Sequence, residues 1–294
     1  MKINIILLVS FFSFSACKTN DEERGSTVSG TFTLFCDNSS YPVVKVLTQT
    51  YSSLYPEVVI LVDSTNGNSR LNQLASLNGY SAVTSRKINT QDSLALISRE
   101  IYFNQFHFAT DAIAVIMNKS DSMTQKNHDF FALLSNCENG NAVKICTDEP
   151  GSANNLTVKN LVPEAGKCMS QWLNLHNFKG VHNYVSQNSG TIGLISWSQM
   201  CDTGDPEVKK LREAVAVVPL FGLKSDSSTF YPVQSAIADG EYPLTKKLYL
   251  VTTEPFSGPA TGFAAFVASS EGQRIIRLFG IQPASIPTRE IIIN

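Results

Sequence analysis

The first third of the chain alternates apolar runs with segments of helical periodicity. Residues 30–36 are rich in β-branched and aromatic side chains, which favours a strand. Apolar side chains recur at helical spacing over 43–54, and the unbroken apolar run over 58–62 is typical of a buried parallel strand. A short helix over 70–77 and a strand over 81–84 follow. This β-α-β-α-β order predicts a parallel sheet with crossover helices.

The rest of the chain repeats the alternation after an apolar crossing strand at 109–118. A strongly amphipathic helix is predicted over 263–278, with Gly280 as its C-cap. Further strands are predicted at 142–146, 191–196, 215–219 and 248–252. Two groups of α/β units on either side of a crossing strand indicate two lobes with a cleft between them.

The composition agrees with a folded chain of two lobes. With 294 residues the chain exceeds one typical core, and 43% hydrophobic residues argue against disorder. The formal net charge of −2 gives no broad basic field for nucleic acid. Polynucleotide binding is therefore not expected.

The N-terminus has the pattern of a lipoprotein signal peptide. Lys2 precedes an apolar stretch over 3–14, which is too short to span a bilayer and fits a signal-peptide core. The small residues before Cys17 resemble a bacterial lipobox, in which that cysteine is diacylated and becomes the first mature residue. We therefore expect a signal peptide over 1–16, a lipid anchor at Cys17 and a polar tether over 17–29.

The tether carries an acidic run at 21–23. This run resembles the export signal of surface lipoproteins in the Bacteroidetes group, and a solvated linker explains it equally well. The expected location is the cell envelope, with the protein anchored on the periplasmic face or the cell surface.

The remaining cysteines match no metal-site spacing. Cys36 lies alone near the start, and four cysteines fall between 137 and 201 without a CxxC pair, so no zinc site is predicted. Their connectivity cannot be read from sequence, although Cys137 and Cys146 are spaced for a local bridge. The chain also lacks the nucleophile-elbow, phosphate-loop and zinc-protease signatures, so we predict a binding protein without a cofactor rather than an enzyme.

Four loops follow predicted strands and are expected at the edge of a sheet where ligands bind. They are the segments 37–40, 63–69, 84–87 and 147–154. The first presents hydroxyls and amides where a helix begins, and the free N–H groups of a helix N-terminus attract anions. Helix capping by Asn38 or Ser39 is the alternative explanation.

The last of these loops repeats the arrangement with Gly151 and Ser152. We expect the glycine to allow close approach of the backbone and the serine to supply a hydroxyl. Arg86, at a strand end, adds a planar fork of donors, although a surface arginine would explain it as well. Several such loops around one cleft describe an oxyanion receptor.

With these residues in view, the sequence resembles the PstS-type substrate-binding proteins of phosphate ABC transporters. The likeness runs from about residue 30 to the end, and its segments follow the family's order. They are NSSYP at 38–42, NGNS at 66–69, SAVTSRK at 81–87, DAIAVIMN at 111–118, NSGTIG at 188–193, YPLTKKLY at 242–249 and GFAAFVASSEGQ at 262–273. The segment at 111–118 is similar to the family's DAIAVIVN, and that at 242–249 to its YPLSRPLY.

The resemblance implies an α/β fold of the periplasmic-binding-protein type, in which two lobes close over an anion. Each lobe is a mixed or parallel sheet with flanking helices, and two hinge strands join them. We assign lobe I to 30–112 and 230–294, and lobe II to 113–229. The anion contacts implied by position are Ser39, Ser40, Ser85, Arg86, Gly151, Ser152 and Ala153. Further candidates are Asn38, Gly67, Asn68, Ser69 and Thr147.

The sequence departs from the family pattern in two loops. In the family's third loop, here 147–154, Thr147 stands where an arginine is usual, Ala153 where a glycine is usual and Asn154 where a threonine is usual. In the first loop, 37–40, Asn38 replaces a glycine. Losing a guanidinium removes a bidentate partner for an oxyanion. A hydrogen bond to a charged group contributes roughly 1.5–3 kcal/mol, so phosphate affinity would fall by about one or two decades.

We therefore expect a lipid-anchored monomer that captures inorganic phosphate and delivers it to an ABC permease. Two alternatives stay open. The altered third loop favours the same fold with another oxyanion or a small polar solute as ligand. The acidic run after Cys17 favours a surface lipoprotein with a vestigial cleft.

Overall fold

The computed structural model describes residues 25–64, 74, 81–121, 130–135 and 144–286. In chain order, the elements of the first part are β1 (Gly30–Phe35), α1 (Tyr41–Leu54), β2 (Val58–Asp63), β3 (Ser81–Thr84), α2 (Thr90–Ile97) and β4 (Asn104–Asn118). The predicted strands of this part are confirmed, and β1 pairs in parallel with both β2 and β3. Of the helix predicted over 70–77, only Leu74 is among the described residues.

The second part of the chain supplies shorter strands and their covering helices. Its helices are α3 (Phe130–Ser135), α4 (Ala153–Leu161), α5 (Pro163–Cys168), α6 (Phe178–Gln187), α7 (Pro206–Ala214), α8 (Gln234–Ala238), α9 (Pro259–Ala268) and α10 (Ser270–Phe279). Its strands are β5 (Lys144–Thr147), β6 (Leu173–Asn174), β7 (Thr191–Ser196), β8 (Val215–Val218), β9 (Leu220–Gly222), β10 (Ser225–Phe230), β11 (Thr245–Thr252) and β12 (Gln282–Pro283).

Strand β4 is long because it pairs with two sets of strands, one after the other along its length. Its first half pairs antiparallel with β11, and its second half pairs antiparallel with β7 and β8. The main path of the sheet runs β2-β1-β3-β11-β4-β7-β5-β6. The partner changes between Ala112, opposite Thr245, and Ile113, opposite Ser196.

A second crossing of the chain lies beside this point. The amide of Ile113 donates to the Leu244 carbonyl at 2.8 Å, and the Tyr242 hydroxyl donates to the Ile113 carbonyl at 2.8 Å. Tyr242 is fully buried. The two crossings are therefore bonded to each other where the sheet changes partners.

The helix predicted over 263–278 is two helices. Ser269 breaks it with an extended backbone, and its side chain accepts from the Gly272 amide at 3.3 Å as the N-cap of α10. A Cβ at Gly272 would lie 2.3 Å from the Phe266 carbonyl oxygen, so the close packing of the two helices requires glycine there. The predicted C-cap is confirmed, because Gly280 is left-handed with φ of 115°.

The structure excludes the local bridge for which Cys137 and Cys146 are spaced. Cys146 is a free, buried thiol on β5, as are Cys36 and Cys201 elsewhere. Burial raises the pKa of the Cys146 thiol to about 12, so it is a core side chain at neutral pH. Cys168 is disulfide-bonded, and Cys137 lies outside the described residues.

Candidate functional site

The ends of β1 and β3 bring the predicted loops 37–40 and 84–87 to one edge of the sheet. Because these strands are parallel neighbours, with Phe35 opposite Ala82, the segments that follow them leave the sheet side by side. One carries Ser39 and the other Arg86. The structure therefore places two of the predicted anion-binding segments next to each other.

The first segment is shaped by the start of α1. The Asp37 carbonyl accepts from the amides of Ser40 and Tyr41 and from the Ser40 hydroxyl, at 2.9, 3.0 and 3.1 Å. This turn directs Asp37 and Ser39 toward a small cavity that Asp148 and Ser152 line from the other side, called the cleft below, and it buries both side chains. Ser40 is the N-cap residue, but its hydroxyl is held by the turn rather than by the helix.

Across the cleft, the start of α4 supplies a second helix N-terminus. Ser152 is its N-cap, and the Ser152 hydroxyl oxygen accepts from the Asn155 amide at 3.2 Å and donates to Asp148. Gly151 has φ of 83°, where glycine is favoured, and a Cβ there would meet nothing within 4 Å. The left-handed turn is therefore one reason for glycine at this position, and the close approach of its backbone to a ligand stays a prediction.

A buried ammonium group joins the two sides of the cleft. Lys246 on β11 is 1% exposed. Its Nζ donates to Ser39 Oγ and to Asn154 Oδ1, each at 3.0 Å, and to Ser196 Oγ. A lysine ammonium has three donors. All three are thus directed at oxygens, one at the start of α1, one in the first turn of α4 and one at the end of β7.

The counter-ion of this lysine lies opposite it in the sheet. Asp111 faces Lys246 in the β4–β11 register, and the Lys246 Nζ is 3.6 Å from its Oδ2, with both side chains fully buried. Asp111 also accepts from the Ala112 and Ser198 amides at 2.8 and 3.0 Å and from the Ser198 hydroxyl at 2.8 Å. The ion pair is therefore hydrogen-bonded on both partners, which a buried pair requires.

Two carboxyl groups line the cleft from opposite sides. Burial raises the pKa of Asp37 to about 7; nearby Lys246 opposes this rise, and the charge of Asp148 adds to it. Burial also raises the pKa of Asp148, whose oxygens accept from Ser152, Asn154 and Thr147. Protons bind here more readily than on exposed carboxylates.

The space between the two loops is small. It is a cavity of about 10 Å³, room for about one water molecule. Its lining includes Asp37, Asn38, Ser39, Asp148, Glu149 and Ser152. His176 and Asn177 border it from the start of α6. A tetrahedral oxyanion fits only after these groups move apart.

Arg86 points to a different partner from the one expected. Its guanidinium forms a two-point ion pair with Asp92, one contact from Nη1 to Oδ2 and one from Nη2 to Oδ1 at 3.2 Å. Asp92 in turn closes a capping box with Asn89 at the start of α2. Arg86 therefore anchors that helix, and an anion can use only the N–H donors that the pairing with Asp92 leaves over.

The other predicted residues divide by position. Thr147 is buried beneath the third loop and donates to Asn155 Oδ1 at 2.8 Å. Ala153 is buried in the first turn of α4, and Ser85 is half-buried beside Arg86. Gly67, Asn68, Ser69 and the lipidation candidate Cys17 lie outside the described residues.

Sequence reasoning missed Lys246, Asp37 and Asp148. Lys246 carried a usable signal, because period-two alternation places it on the same side of β11 as the buried Leu248 and Leu250. A lysine on the apolar side of a strand is expected to have a buried partner. The two aspartates carried no such signal, since polar residues beside helix starts are ordinary N-terminal residues.

The raised pKa of Asp37 predicts that the protein loses stability as pH rises. Between the ordinary 3.8 and about 7 the folded state binds more protons than the unfolded chain, so the free energy of unfolding falls with pH across that window. Urea unfolding at about pH 5 and about pH 8 measures the slope. Asp37→Asn removes this contribution, and a variant with an unchanged or steeper decline would contradict the assignment.

A family model described as a PBP superfamily domain matches residues 21–271. No curated protein matches the sequence significantly. Within the part of the chain that the structure describes, no helix is long and apolar enough to cross a membrane.

Several solved structures share the fold at low sequence identity. A Clostridium perfringens protein assigned as a phosphate ABC transporter substrate-binding protein, solved with bound phosphate, aligns at 16% identity with a TM-score of 0.67, covering 87% of this chain and 100% of its own. An ABC-type phosphate transport receptor from Vibrio cholerae aligns at 16% identity with a TM-score of 0.62, covering 86% and 100%. The Azotobacter vinelandii periplasmic molybdate-binding protein aligns at 11% identity with a TM-score of 0.52, covering 87% and 100%.

These likenesses confirm the predicted α/β fold of the periplasmic-binding-protein type. At such identities they do not identify a ligand. The family match, by contrast, spans most of the sequence and both sets of strands. The chain therefore belongs to the PBP superfamily.

Proposed function

We propose that this protein captures inorganic phosphate for an ABC importer and does so by binding alone. The observation that carries the proposal is the position of Lys246, whose Nζ lies between the N-terminal residues of α1 and α4. Two helix N-termini and one ammonium beside a single cleft supply positive charge and N–H donors for an anion, which offset the negative charge of the carboxyl groups there.

Ser39 is the best-placed donor to that anion. Its hydroxyl oxygen accepts from the Lys246 ammonium, so its own proton is free to point into the cleft that it lines. Ser152 differs, because its hydroxyl donates to Asp148. To donate to phosphate, the Ser152 hydroxyl must therefore give up its hydrogen bond to Asp148. Backbone amides at Gly151 and Ala153 complete the proposed contacts on that side.

The carboxyl groups favour phosphate over sulfate. A monohydrogen or dihydrogen phosphate carries a P–OH that can donate to Asp37 or Asp148, whereas sulfate at neutral pH has only acceptor oxygens. A carboxylate that faces sulfate must first take up a proton, which costs free energy above the Asp37 pKa of about 7, whereas the P–OH of phosphate brings its own proton. The cleft that holds Asp37 and Asp148 is thus suited to a protonated oxyanion.

Binding needs the two sides of the cleft to separate, since the cavity of about 10 Å³ is too small for the ligand. The two chain crossings near Ile113 offer the place to bend, because the strand partners change there. We propose that lobe I, 30–112 and 230–294, and lobe II, 113–229, hinge at these crossings. Such a closure around a ligand is common in two-lobe proteins.

A thermal-shift panel of phosphate, molybdate, sulfate and neutral sugars tests the proposal. We expect phosphate to raise the unfolding temperature most, because a ligand stabilises the state that it binds. The second candidate is the same cleft with another oxyanion, which the buried Thr147 in place of the family's arginine favours. A larger rise of the unfolding temperature with molybdate than with phosphate would favour this second candidate. No response to any oxyanion would contradict both.

Arg86→Ala tests the sequence-based assignment of that residue. If Arg86 contacts phosphate, the variant loses a charge-assisted hydrogen bond and affinity falls roughly tenfold or more. Calorimetry measures the change, and Arg277→Ala, an exposed arginine on α10, is the matched control. If both variants bind phosphate with equal affinity, Arg86 makes no contact with the ligand, and Lys246 is the cation that acts on it.

The anchor and the partner follow from the sequence. We propose that Cys17 carries the lipid and that an ABC permease receives the phosphate from a monomeric receptor. Cys17→Ser is expected to move the protein from the membrane to the soluble fraction and to abolish incorporation of a fatty-acid label. Label retained by the variant would contradict the assignment. Protease treatment of whole cells then distinguishes surface display from a periplasmic location.

A further inference from the structure

A second cavity lies outside the cleft, between α7 and the segment that follows β10. Its volume is about 660 Å³, within the range of about 300–1,000 Å³ found for small-molecule sites. Val215 and Val217 on β8 form one wall, and Phe230 and Val233 form another. The cavity involves none of the proposed phosphate contacts.

The lining is largely apolar and continues onto exposed apolar surface. Tyr231 is 52% exposed and Val233 is 42% exposed, and both border the cavity. Trp197 forms part of the wall although it is only 5% exposed. Adjacent exposed aromatic and aliphatic groups around a concavity indicate a binding site more than a random surface.

One cation is built into this apolar wall. The guanidinium carbon of Arg212 lies 5.1 Å from the centre of the Trp197 ring. A cation–π contact with an indole restrains the guanidinium and leaves N–H donors at its edge available. Among the described residues, no carboxylate forms an ion pair with Arg212. Its edge is therefore suited to a planar carboxylate.

A single carboxylate, Asp239, also lines the cavity, and it is exposed. With one arginine and one aspartate the lining has no formal net charge, so a compact multivalent anion such as phosphate gains little there. A monoanion with a large apolar body gains from both the walls and Arg212. This separates the chemistry of the cavity from that of the cleft.

We infer that this cavity binds an apolar carboxylate, with an aromatic or ring body against the valines and Trp197 and its carboxylate on Arg212. The site is independent of the proposed phosphate site. Naphthoate is a suitable probe, and naphthylmethanol is its neutral analogue of similar shape.

Calorimetry of the full chain with both probes tests the inference. We expect one naphthoate per chain, bound about tenfold or more tightly than naphthylmethanol. Arg212→Met keeps the aliphatic stem and should reduce naphthoate to the affinity of the alcohol, while Arg277→Met should change nothing. Val217→Trp should fill the cavity and abolish binding of both probes.

The same titrations separate this site from the cleft. Saturating phosphate should leave naphthoate affinity unchanged, whatever the outcome for phosphate itself. Absence of naphthoate binding, equal binding by the Arg212→Met variant, or displacement by phosphate would each overturn the inference. Arg212 is on the surface of α7, so this variant keeps the test usable if Val217→Trp fails to fold.

Discussion

Replacing Lys246 with methionine is expected to lower the free energy of unfolding by about 3–5 kcal/mol and to abolish measurable phosphate binding. The stability loss follows because Asp111 is left charged and fully buried without its counter-ion. The binding loss follows because Ser39, Asn154 and Ser196 lose the ammonium that positions them. Urea unfolding and calorimetry measure the two effects.

The adjacent residue offers a matched control. Lys247 follows Lys246 on β11, and its side chain is exposed on the other face. Lys247→Met should change the free energy of unfolding by no more than about 0.5 kcal/mol. If the double variant Lys246→Met/Asp111→Asn is less destabilised than the sum of its single variants, the pair is coupled. Equal stability of the Lys246 and Lys247 variants would refute the role assigned to the buried ammonium.

Asp37→Asn is expected to remove most of the discrimination between phosphate and sulfate. The Asn carbonyl oxygen can still accept from P–OH but carries no charge, and a hydrogen bond to a charged acceptor is the stronger one, so phosphate binding should weaken about tenfold or more. Sulfate, no longer facing that carboxylate, should bind measurably. Asp37 is the natural site for this change because it is buried, lines the cleft and has a pKa raised to about 7.

The control for this variant is Asp239→Asn, an exposed aspartate away from the cleft. It should retain wild-type affinity for phosphate and no affinity for sulfate. An Asp37→Asn protein that still rejects sulfate would move the selectivity to Asp148 or Glu149. Phosphate binding unaffected by this substitution would contradict a direct contact.

The sequence predicts the strands better than the ends of the helices. Periodicity and apolar runs located β1, β3, β4 and β7 because burial on a sheet dictates those patterns. The closing helix was predicted as one element because its apolar periodicity continues across Ser269, while the break depends on a cap and on close packing at Gly272. The helix break depends on this contact between the two helices, which the sequence alone does not show.

The candidate site was predicted in part. Loops at the carboxyl ends of strands are brought together as expected, because parallel neighbours end at the same edge. The pairing of Arg86 with Asp92 could not be deduced, since five residues lie between them and an anion would satisfy the guanidinium as well. The resemblance of 242–249 to a family segment does not reveal the role of Lys246, whereas period-two alternation along β11 does indicate its inward register.

Calorimetric titration of the chain with phosphate, followed by sulfate, at neutral pH tests the central claim most directly. The account predicts one phosphate per chain with a dissociation constant in the micromolar range or tighter. A micromolar constant corresponds to a binding free energy of about −8 kcal/mol. It also predicts no heat from sulfate, because Asp37 and Asp148 face the ligand. Sulfate binding as tight as phosphate, or no binding of phosphate at millimolar concentration, would contradict the account.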